Sequence, residues 1–134
     1  MVENKNQELL FKLSMFEEQI KNLQQQLQAV EESITDMRSL NLGLDEIGKS
    51  AGKEVLAPLG RGIFVETKLI SDSLTVDVGG RNFVKKSVPE TKEIIDRQIG
   101  KLIEISEEIN EKIEEINEEL TQTIMEAQEN SEED

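Results

Sequence analysis

The chain has 134 residues and a formal net charge of −14, and 33% of its residues are charged, 36% hydrophobic and only 3% aromatic. This composition is typical of long amphipathic helices rather than of a compact globule, and the length calls for a single domain. Cysteine and histidine are both absent, which excludes disulfides, thiolate nucleophiles, sulfur ligands for metals and the commonest general base. We therefore expect a protein that is not an enzyme and that uses no metal or other cofactor.

The first 48 residues carry apolar side chains that recur in alternating steps of four and three. The series consists of Leu9, Leu13, Phe16, Ile20, Leu23, Leu27, Val30, Ile34 and Met37. This spacing is a heptad repeat, and it predicts an N-terminal coiled-coil helix over residues 5–48. Asn41 interrupts the seam before Leu44, and a polar residue at such a position can fix the register of a coiled coil or mark a bend.

Residues 53–87 change to a period of two, which is typical of β-strands. Turn signals separate four segments, at Pro58–Gly62, at Ser71–Ser73 and at Gly79-Gly80 before a last strand over residues 81–86. These signals predict two β-hairpins. Isolated hairpins are only marginally stable in water, so we expect other subunits to complete the sheet.

A second heptad seam follows the strands and consists of Ile95, Ile99, Leu102, Ser106, Ile109, Ile113, Ile116 and Leu120. Ser87 and Glu90 have the spacing of a capping box, and Pro89 suits a first helical turn. We therefore predict a C-terminal coiled-coil helix over residues 88–127, followed by an acidic tail at 128–134. Because a compact β insertion joins two helices of similar length, the predicted fold is α+β, mostly α: a long antiparallel coiled-coil hairpin with both β-hairpins at the joined end. The chain termini then meet at one tip.

The negative charge lies mainly in the second helix, since the net charge is −4 for residues 1–49, +2 for 50–89 and −12 for 90–134. An acidic surface repels phosphate backbones, so we expect no nucleic acid partner, whereas a basic protein or a basic stretch of an unfolded chain would be attracted. The simpler explanation is solubility, with the glutamates from Glu107 to Glu119 and the glutamines between Gln24 and Gln28 as solvated helix faces. No apolar run approaches the roughly 20 residues of a membrane span and the first residues are polar, so we expect a cytoplasmic protein without a membrane partner.

The order of a coiled-coil helix, two β-hairpins and a returning coiled-coil helix resembles the α-type subunit of prefoldin over nearly the whole chain. The most specific similarity lies in the strands and turns of Val55–Gly60, Gly62–Val65 and Val76–Gly80, and two hairpins rather than one favour the α type over the β type. The resemblance implies a hexamer of two α and four β subunits that assembles through a β-barrel head. Six coiled coils then project from the head, and their tips hold unfolded polypeptides and deliver them to a group II chaperonin without nucleotide hydrolysis.

The expected client-binding tip combines the first turns of one helix with the last turns of the other. We call its residues the tip set: Leu9, Leu10, Phe11, Leu13, Met15, Phe16, Leu120, Ile124 and Met125. Six apolar residues among the eight at positions 9–16 exceed what one seam needs, and phenylalanine and methionine adapt to varied partners. Flanking acids would keep such a patch soluble, although the acidic segment Glu126–Asp134 would also reduce its apolar area. The alternative is a locally wide seam with frayed ends.

The expected assembly surface lies in the strands, and we call its residues the head set: Ile63, Val65, Leu69, Leu74, Val76, Val78, Phe83 and Val84. These side chains should bury against one another and against neighbouring subunits, and the alternative is that they form a core within one chain. Strand edges supply backbone donors and acceptors, so pairing between subunits needs no special side chains.

We therefore predict that the chain is a subunit of an ATP-independent chaperone. This chaperone would retain clients through several weakly binding tips joined to one head. The implied partners are prefoldin β-type subunits, unfolded polypeptides and a group II chaperonin. One alternative is a homo-oligomeric or filamentous scaffold or tether of the same superfamily. Another is a coiled-coil regulator that recognises one basic partner through the acidic second helix.

Overall fold

The computed structural model describes the backbone of residues 2–132 and the side chains of residues 4–130. The elements follow one another as α1 (Val2–Gly48), β1 (Glu54–Gly60), β2 (Ile63–Lys68), β3 (Leu74–Asp77), β4 (Phe83–Lys86) and α2 (Val88–Glu132). This order confirms the predicted arrangement of two long helices and two β-hairpins. Neither helix, within its described residues, contains an apolar stretch long enough to cross a membrane.

The chain divides into two compact units. The terminal unit comprises the described parts of residues 1–33 and 102–134, and the hairpin unit comprises Ile34–Lys101. Each unit therefore contains part of α1 and part of α2, and all four strands belong to the hairpin unit.

In the terminal unit, the heptad seams of both helices are the least exposed positions. The seam residues of α1 from Leu9 to Val30 are all half-buried, whereas every residue between them is exposed. On α2, Ile109 is buried, and the seam continues past Leu120 through half-buried Thr123 and Ala127. Leu23 of α1 and Ile109 of α2 line the same groove, so these helical segments pack against each other along their seams.

In the hairpin unit, the core consists of Ile34, Leu44, Val88, Ile95 and Ile99, with Thr91 as a buried polar residue. Polar side chains also connect the two helices within this unit. Asn41 Nδ2 donates a hydrogen bond to Asp96 Oδ1 over 2.8 Å, and the Lys92 ammonium forms an ion pair with Asp45. From the first contact to the second, the α1 residue number rises by four while the α2 number falls by four, which identifies the two segments as antiparallel.

The start of α2 is fixed by Ser87. Its hydroxyl oxygen accepts a hydrogen bond from the backbone N–H of Glu90 over 3.2 Å, and its carbonyl accepts one from the N–H of Thr91 over 3.1 Å. Ser87 is therefore the N-cap that the sequence predicts, an interaction that typically contributes about 1 kcal/mol.

The far end of α2 differs from the prediction. The helix does not stop at residue 127 but continues to Glu132, because residues 128–132 include no glycine or proline that would end it. Residues 133 and 134 of the predicted acidic tail lie outside the described residues. At the other end of the chain, α1 begins at Val2 rather than at residue 5.

β1 and β2 form the first hairpin, with antiparallel pairing and a register shift between Pro58 and Gly60. The turn residues Gly60, Arg61 and Gly62 all have positive φ angles, of 124°, 52° and 79°. Glycine adopts such angles without a steric penalty, which explains why two of the three residues are glycines. The predicted turn is confirmed, although Pro58 and Gly60 themselves belong to β1.

β3 and β4 form the second hairpin, with antiparallel pairing from Leu74 opposite Lys86 to Asp77 opposite Phe83. Arg81 was expected to begin the last strand, but it lies in the turn, because its φ angle of 62° is far from the extended range of a strand. The two hairpins are separate two-stranded sheets, and the described residues form no closed barrel. A barrel would therefore require strands from other chains.

Candidate functional site

The nine residues of the tip set all lie in the terminal unit, but they do not share one environment. Four of them, Leu9, Leu13, Phe16 and Leu120, are half-buried along the seams. The other five are exposed apolar side chains, with exposed fractions of 65% for Leu10, 67% for Phe11, 45% for Met15, 39% for Ile124 and 56% for Met125. The tip set therefore combines seam residues with a larger group that stays in contact with water.

The heptad positions explain this division. Leu10 and Ile124 each directly follow a seam residue, so they flank the seam, and like heptad positions lie on the same side of an antiparallel pair. Phe11 and Met15 are four residues apart and lie farther round α1, on the face directed away from the seam. Apolar surface therefore continues from the seam to the outer face of α1.

The pairing of the two helices brings the α1 and α2 parts of the tip set together. Leu23 shares a groove with the α2 turn that contains Ile109 and Lys112. Because the helices run antiparallel, ten residues back along α1 correspond to about ten residues forward along α2. Leu13 therefore lies across from the α2 turn that contains Leu120.

An exposed apolar group of this size suits contact with another polypeptide. Complete burial of one such side chain contributes about 1.5–3 kcal/mol, and thioether and phenyl side chains adapt to partners of different shape. The charged residues Glu8, Lys12, Glu17 and Glu18 are exposed beside the group and favour solubility. No set of three or more acidic, histidine or cysteine side chains within the described ranges is placed to hold a metal ion.

The head set is also open to water. Leu69, Leu74 and Val76 are half-buried, while the other five side chains are exposed, by 60% for Ile63, 41% for Val65, 54% for Val78, 62% for Phe83 and 40% for Val84. None of the eight is fully buried. The head set therefore does not form a closed core within this chain.

Six of the eight head-set residues lie on strands with unpaired edges, whereas Leu69 and Val78, which were expected on strands, directly follow the ends of β2 and β3. Each hairpin is a two-stranded sheet, and in the described part of the chain neither strand of one hairpin pairs with a strand of the other. The outer backbone N–H and C=O groups of such strands are templates for pairing with a further chain. Strand addition together with burial of the head set would cover both the polar edges and the apolar side chains.

Outside α1, four large exposed apolar residues of the hairpin unit are absent from the head set: Leu56 (64%), Leu59 (71%), Phe64 (57%) and Ile70 (94%). A signal for the first two is present in the sequence. Residues 55–59 form an unbroken apolar run, whereas a strand with one solvent-exposed face would alternate between apolar and polar residues. Such a run is typical of a strand that is covered on both faces.

The strand register shows where two of these residues lie. Leu56 is opposite Glu66, and Phe64 is opposite Pro58. Leu56 and Phe64 are therefore diagonal neighbours on one face of the first hairpin. The half-buried residues Val55, Ala57 and Thr67 lie on the other face, so the first hairpin presents apolar side chains on both of its faces.

Comparison with known proteins identifies similar chains. A family model described as prefoldin subunit matches residues 16–133. The prefoldin subunit alpha of Methanosphaera stadtmanae is 28% identical over 91 residues, which cover 68% of this chain and 66% of the relative. That of Methanobrevibacter smithii is 31% identical over 97 residues, which cover 72% of this chain and 66% of the relative. The chain thus spans slightly less than two thirds of the length of these two relatives.

A solved structure has a similar fold. It is a chain from the cryo-EM structure of filamentous PFD from Methanocaldococcus jannaschii, with a TM-score of 0.77 and 24% sequence identity. The superposition covers 86% of this chain and 97% of the other. At this level of identity, the likeness concerns the fold of the two chains.

Proposed function

This chain belongs to the prefoldin family as an alpha-type subunit, and we propose that it is one subunit of a hexameric chaperone that works without nucleotide. In this proposal, two copies assemble with four beta-type subunits through the head set. The coiled-coil tips capture unfolded polypeptides and deliver them to a group II chaperonin. The chain itself catalyses no reaction, and its site of action is the cytoplasm, where unfolded chains and a chaperonin would be met together.

One observation carries the proposal: the chain keeps two separate groups of large apolar side chains in contact with water. The tip set contributes exposed Leu10, Phe11 and Met15 on α1, and the head set contributes exposed Ile63 and Phe83 on the strands. Exposed apolar groups of this size favour partner binding. The strands of the head set have regular backbone edges that suit a defined partner. The exposed side chains of the tip set are adaptable and suit many partners.

Weak binding at each tip is sufficient for this function. Several tips held by one assembled head raise the local concentration of binding surface around a client, so the combined affinity can exceed that of a single tip by a factor of about 10²–10⁴. Because each contact is weak, a client bound in this way can leave the tips one contact at a time and pass to the chaperonin. Release therefore needs no chemical step.

The test is to mix the purified chain with beta-type subunits, determine the mass of the complex by light scattering, and measure suppression of client aggregation without ATP. We expect a complex of six subunits that keeps a chemically unfolded client in solution. A complex that forms but leaves aggregation unchanged would refute the holding function, and a chain that stays monomeric in the mixture would refute the assembly.

A homo-oligomeric or filamentous scaffold is the second candidate, because the structural neighbour described above comes from a filamentous assembly. Unpaired strand edges on both hairpins can add further copies of the same chain as readily as a different subunit. The mass of the purified chain alone distinguishes the two candidates. A scaffold would grow with concentration without a beta-type subunit, whereas the hexamer subunit would reach its final mass only in the mixture.

A further inference from the structure

A second apolar surface lies in the terminal unit, away from the residues of the tip set. It is a groove of about 400 Å³ between α1 and α2, and Leu23, Ile105 and Ile109 provide its apolar lining. Ile109 is a buried seam residue, but Ile105 lies beside the seam and is 43% exposed. The groove therefore offers an apolar floor that remains in contact with water.

The α2 rim of the groove is acidic. Glu108, Glu111 and Glu115 line it together with Lys112, so three carboxylates and one ammonium give a net charge of −2. None of the three carboxylates forms an ion pair with another residue in the described part of the chain. The carboxylates therefore remain available to a cation that comes from outside the chain.

The α1 rim of the groove is neutral and polar. Gln26 is its polar lining residue. A glutamine side chain can both donate and accept hydrogen bonds, which are the two kinds of contact that the backbone of an extended peptide requires. An apolar floor therefore lies between a rim that can bond to a peptide backbone and a rim that attracts positive charge.

We propose that this groove binds an extended segment of an unfolded client in which apolar residues alternate with lysine or arginine. The apolar side chains contact Ile105 and Ile109, and the cationic side chains reach the carboxylates of Glu108, Glu111 and Glu115. This inference rests on the proposed holding function and deepens it, because it names the class of client sequence that the coiled coil selects. Charge complementarity gives the selectivity, since acidic segments are repelled by the same rim.

The test measures binding of fluorescently labelled, unstructured peptides to the purified chain at low salt. One peptide alternates leucine with arginine, a second replaces arginine by glutamate, and a third replaces leucine by serine. We expect the first to bind about tenfold more tightly than either of the others. The triple variant Glu108→Gln, Glu111→Gln and Glu115→Gln should weaken binding of the first peptide about tenfold. Added salt should remove the difference in affinity between the wild type and this variant.

The matched control is the triple variant Glu104→Gln, Glu107→Gln and Glu114→Gln, which removes the same charge from exposed positions of α2 outside the groove. It should change the dissociation constant by less than about twofold. Equal losses for the two triple variants would overturn the proposal, because binding would then depend on net charge alone. Circular dichroism verifies that both variants keep their helices, which is expected because glutamine and glutamate have similar helix propensities.

Two further variants test the role of the apolar floor and the location of the bound peptide. Ile105→Gln should weaken binding of the leucine–arginine peptide several-fold, and an unchanged dissociation constant would exclude the floor. Because the chain has no cysteine, Asn22→Cys provides a single attachment point for a photo-crosslinker on an exposed residue one helical turn from Gln26 and outside the groove lining. The crosslinked peptide should be recovered when the cysteine is the only change, and its yield should fall strongly when the Glu108, Glu111 and Glu115 substitutions are added.

The outcomes separate this inference from the holding function. If the wild-type complex suppresses aggregation, but the wild-type chain binds all three peptides equally and the two triple variants bind the leucine–arginine peptide equally, the groove proposal fails and the holding function stands. If the complex does not suppress aggregation at all, the holding function fails, and client selection by the groove fails with it.

Discussion

Asn41 of α1 and Asp96 of α2 are joined by a hydrogen bond, in which Asn41 Nδ2 donates to Asp96 Oδ1 over 2.8 Å. Asn41 occupies a seam position, and its Oδ1 atom is buried without a hydrogen-bond partner among the described residues. A buried unpaired acceptor costs about 1–3 kcal/mol, so Asn41 is a poor source of stability. Its bond to Asp96 instead disfavours every helix register in which Asp96 is out of reach.

Replacing Asn41 with leucine should therefore raise stability and reduce register specificity. We expect the free energy of unfolding to increase by about 1–2 kcal/mol, because the unpaired acceptor is removed and apolar surface is buried in its place. Denaturation followed by circular dichroism measures the first effect. Native mass spectrometry should reveal the second as a broader distribution of oligomers, since other pairings of the helices are no longer penalised.

The Asp96→Ala variant serves as the control for Asn41. It keeps the polar seam residue but removes the acceptor, so the free energy of unfolding should fall by about 1 kcal/mol. A decrease for Asn41→Leu of the same size would show that the asparagine contributes net stability, and an unchanged distribution of oligomers in that variant would contradict the register role.

The sequence identifies Asn41 as a possible determinant of register but does not identify its partner. Heptad seams, turn glycines and the Ser87 cap depend on residues within a few positions of one another, and these features are predicted correctly. The contact with Asp96 joins residues 55 positions apart, and it depends on how the two helices align. Periodicity gives the two seams but not their alignment, so this contact and the Lys92–Asp45 ion pair become visible only in the structure.

The candidate surfaces also differ in how far the sequence predicts them, because some depend on local spacing and others on how distant segments align. The division of the tip set into seam and exposed residues follows from the heptad positions, so Leu10 and Phe11 could be separated from Leu9 by sequence alone. The exposed pair of Leu56 and Phe64 depends on the strand register of the first hairpin. What covers the strands depends on other chains, about which one sequence contains no information.

Replacing Leu10, Phe11 and Met15 with serine should weaken client holding without dissociating the complex. All three side chains are exposed in the chain, so little folding energy depends on them, whereas their contact with a client is lost. We expect the amount of complex needed to halve the aggregation of an unfolded client to rise about fivefold. Light scattering gives both the aggregation curve and the mass of the complex.

The matched control for the tip replaces Gln19, Gln24 and Gln25 with serine. These residues are also exposed on α1, and the three substitutions lower helix propensity by a similar amount without removing apolar surface. The control should suppress aggregation as well as the wild type does. Undiminished suppression by the Leu10, Phe11 and Met15 variant would remove the tip from the mechanism.

Introducing a charge at Val76 should dissociate the assembly. Val76 is half-buried in β3 and lies opposite Val84 in β4, so an aspartate there would place a carboxylate among apolar head residues. Burial of an unpaired charge is strongly disfavoured. We expect Val76→Asp to reduce the mass measured by light scattering from that of a hexamer to that of separate subunits.

Thr75→Asp is the control for Val76→Asp, because it adds the same charge to the neighbouring position of β3. Thr75 is exposed and lies opposite Lys85, which can pair with the new carboxylate. The Thr75 variant should keep the mass of the wild-type complex. A hexamer that persists in the Val76→Asp variant would exclude the head set as the assembly surface.

The second apolar face of the first hairpin should also contribute to assembly. Leu56 and Phe64 are diagonal neighbours on that face and are 64% and 57% exposed. Replacing both with serine should leave the helix content unchanged, because neither residue belongs to the core of the chain. If a partner subunit covers this face, the concentration at which the complex dissociates should rise by about tenfold or more.

Dilution followed by native mass spectrometry measures that concentration. The control variant replaces Glu54 and Lys68, an opposite pair on the same face, with serine, which removes two side chains without changing the net charge or the apolar area. Its dissociation concentration should stay near that of the wild type. If the Leu56 and Phe64 variant matched this control, only the face that carries Val55 and Ala57 would contact a partner, and the apolar run of β1 would need another explanation.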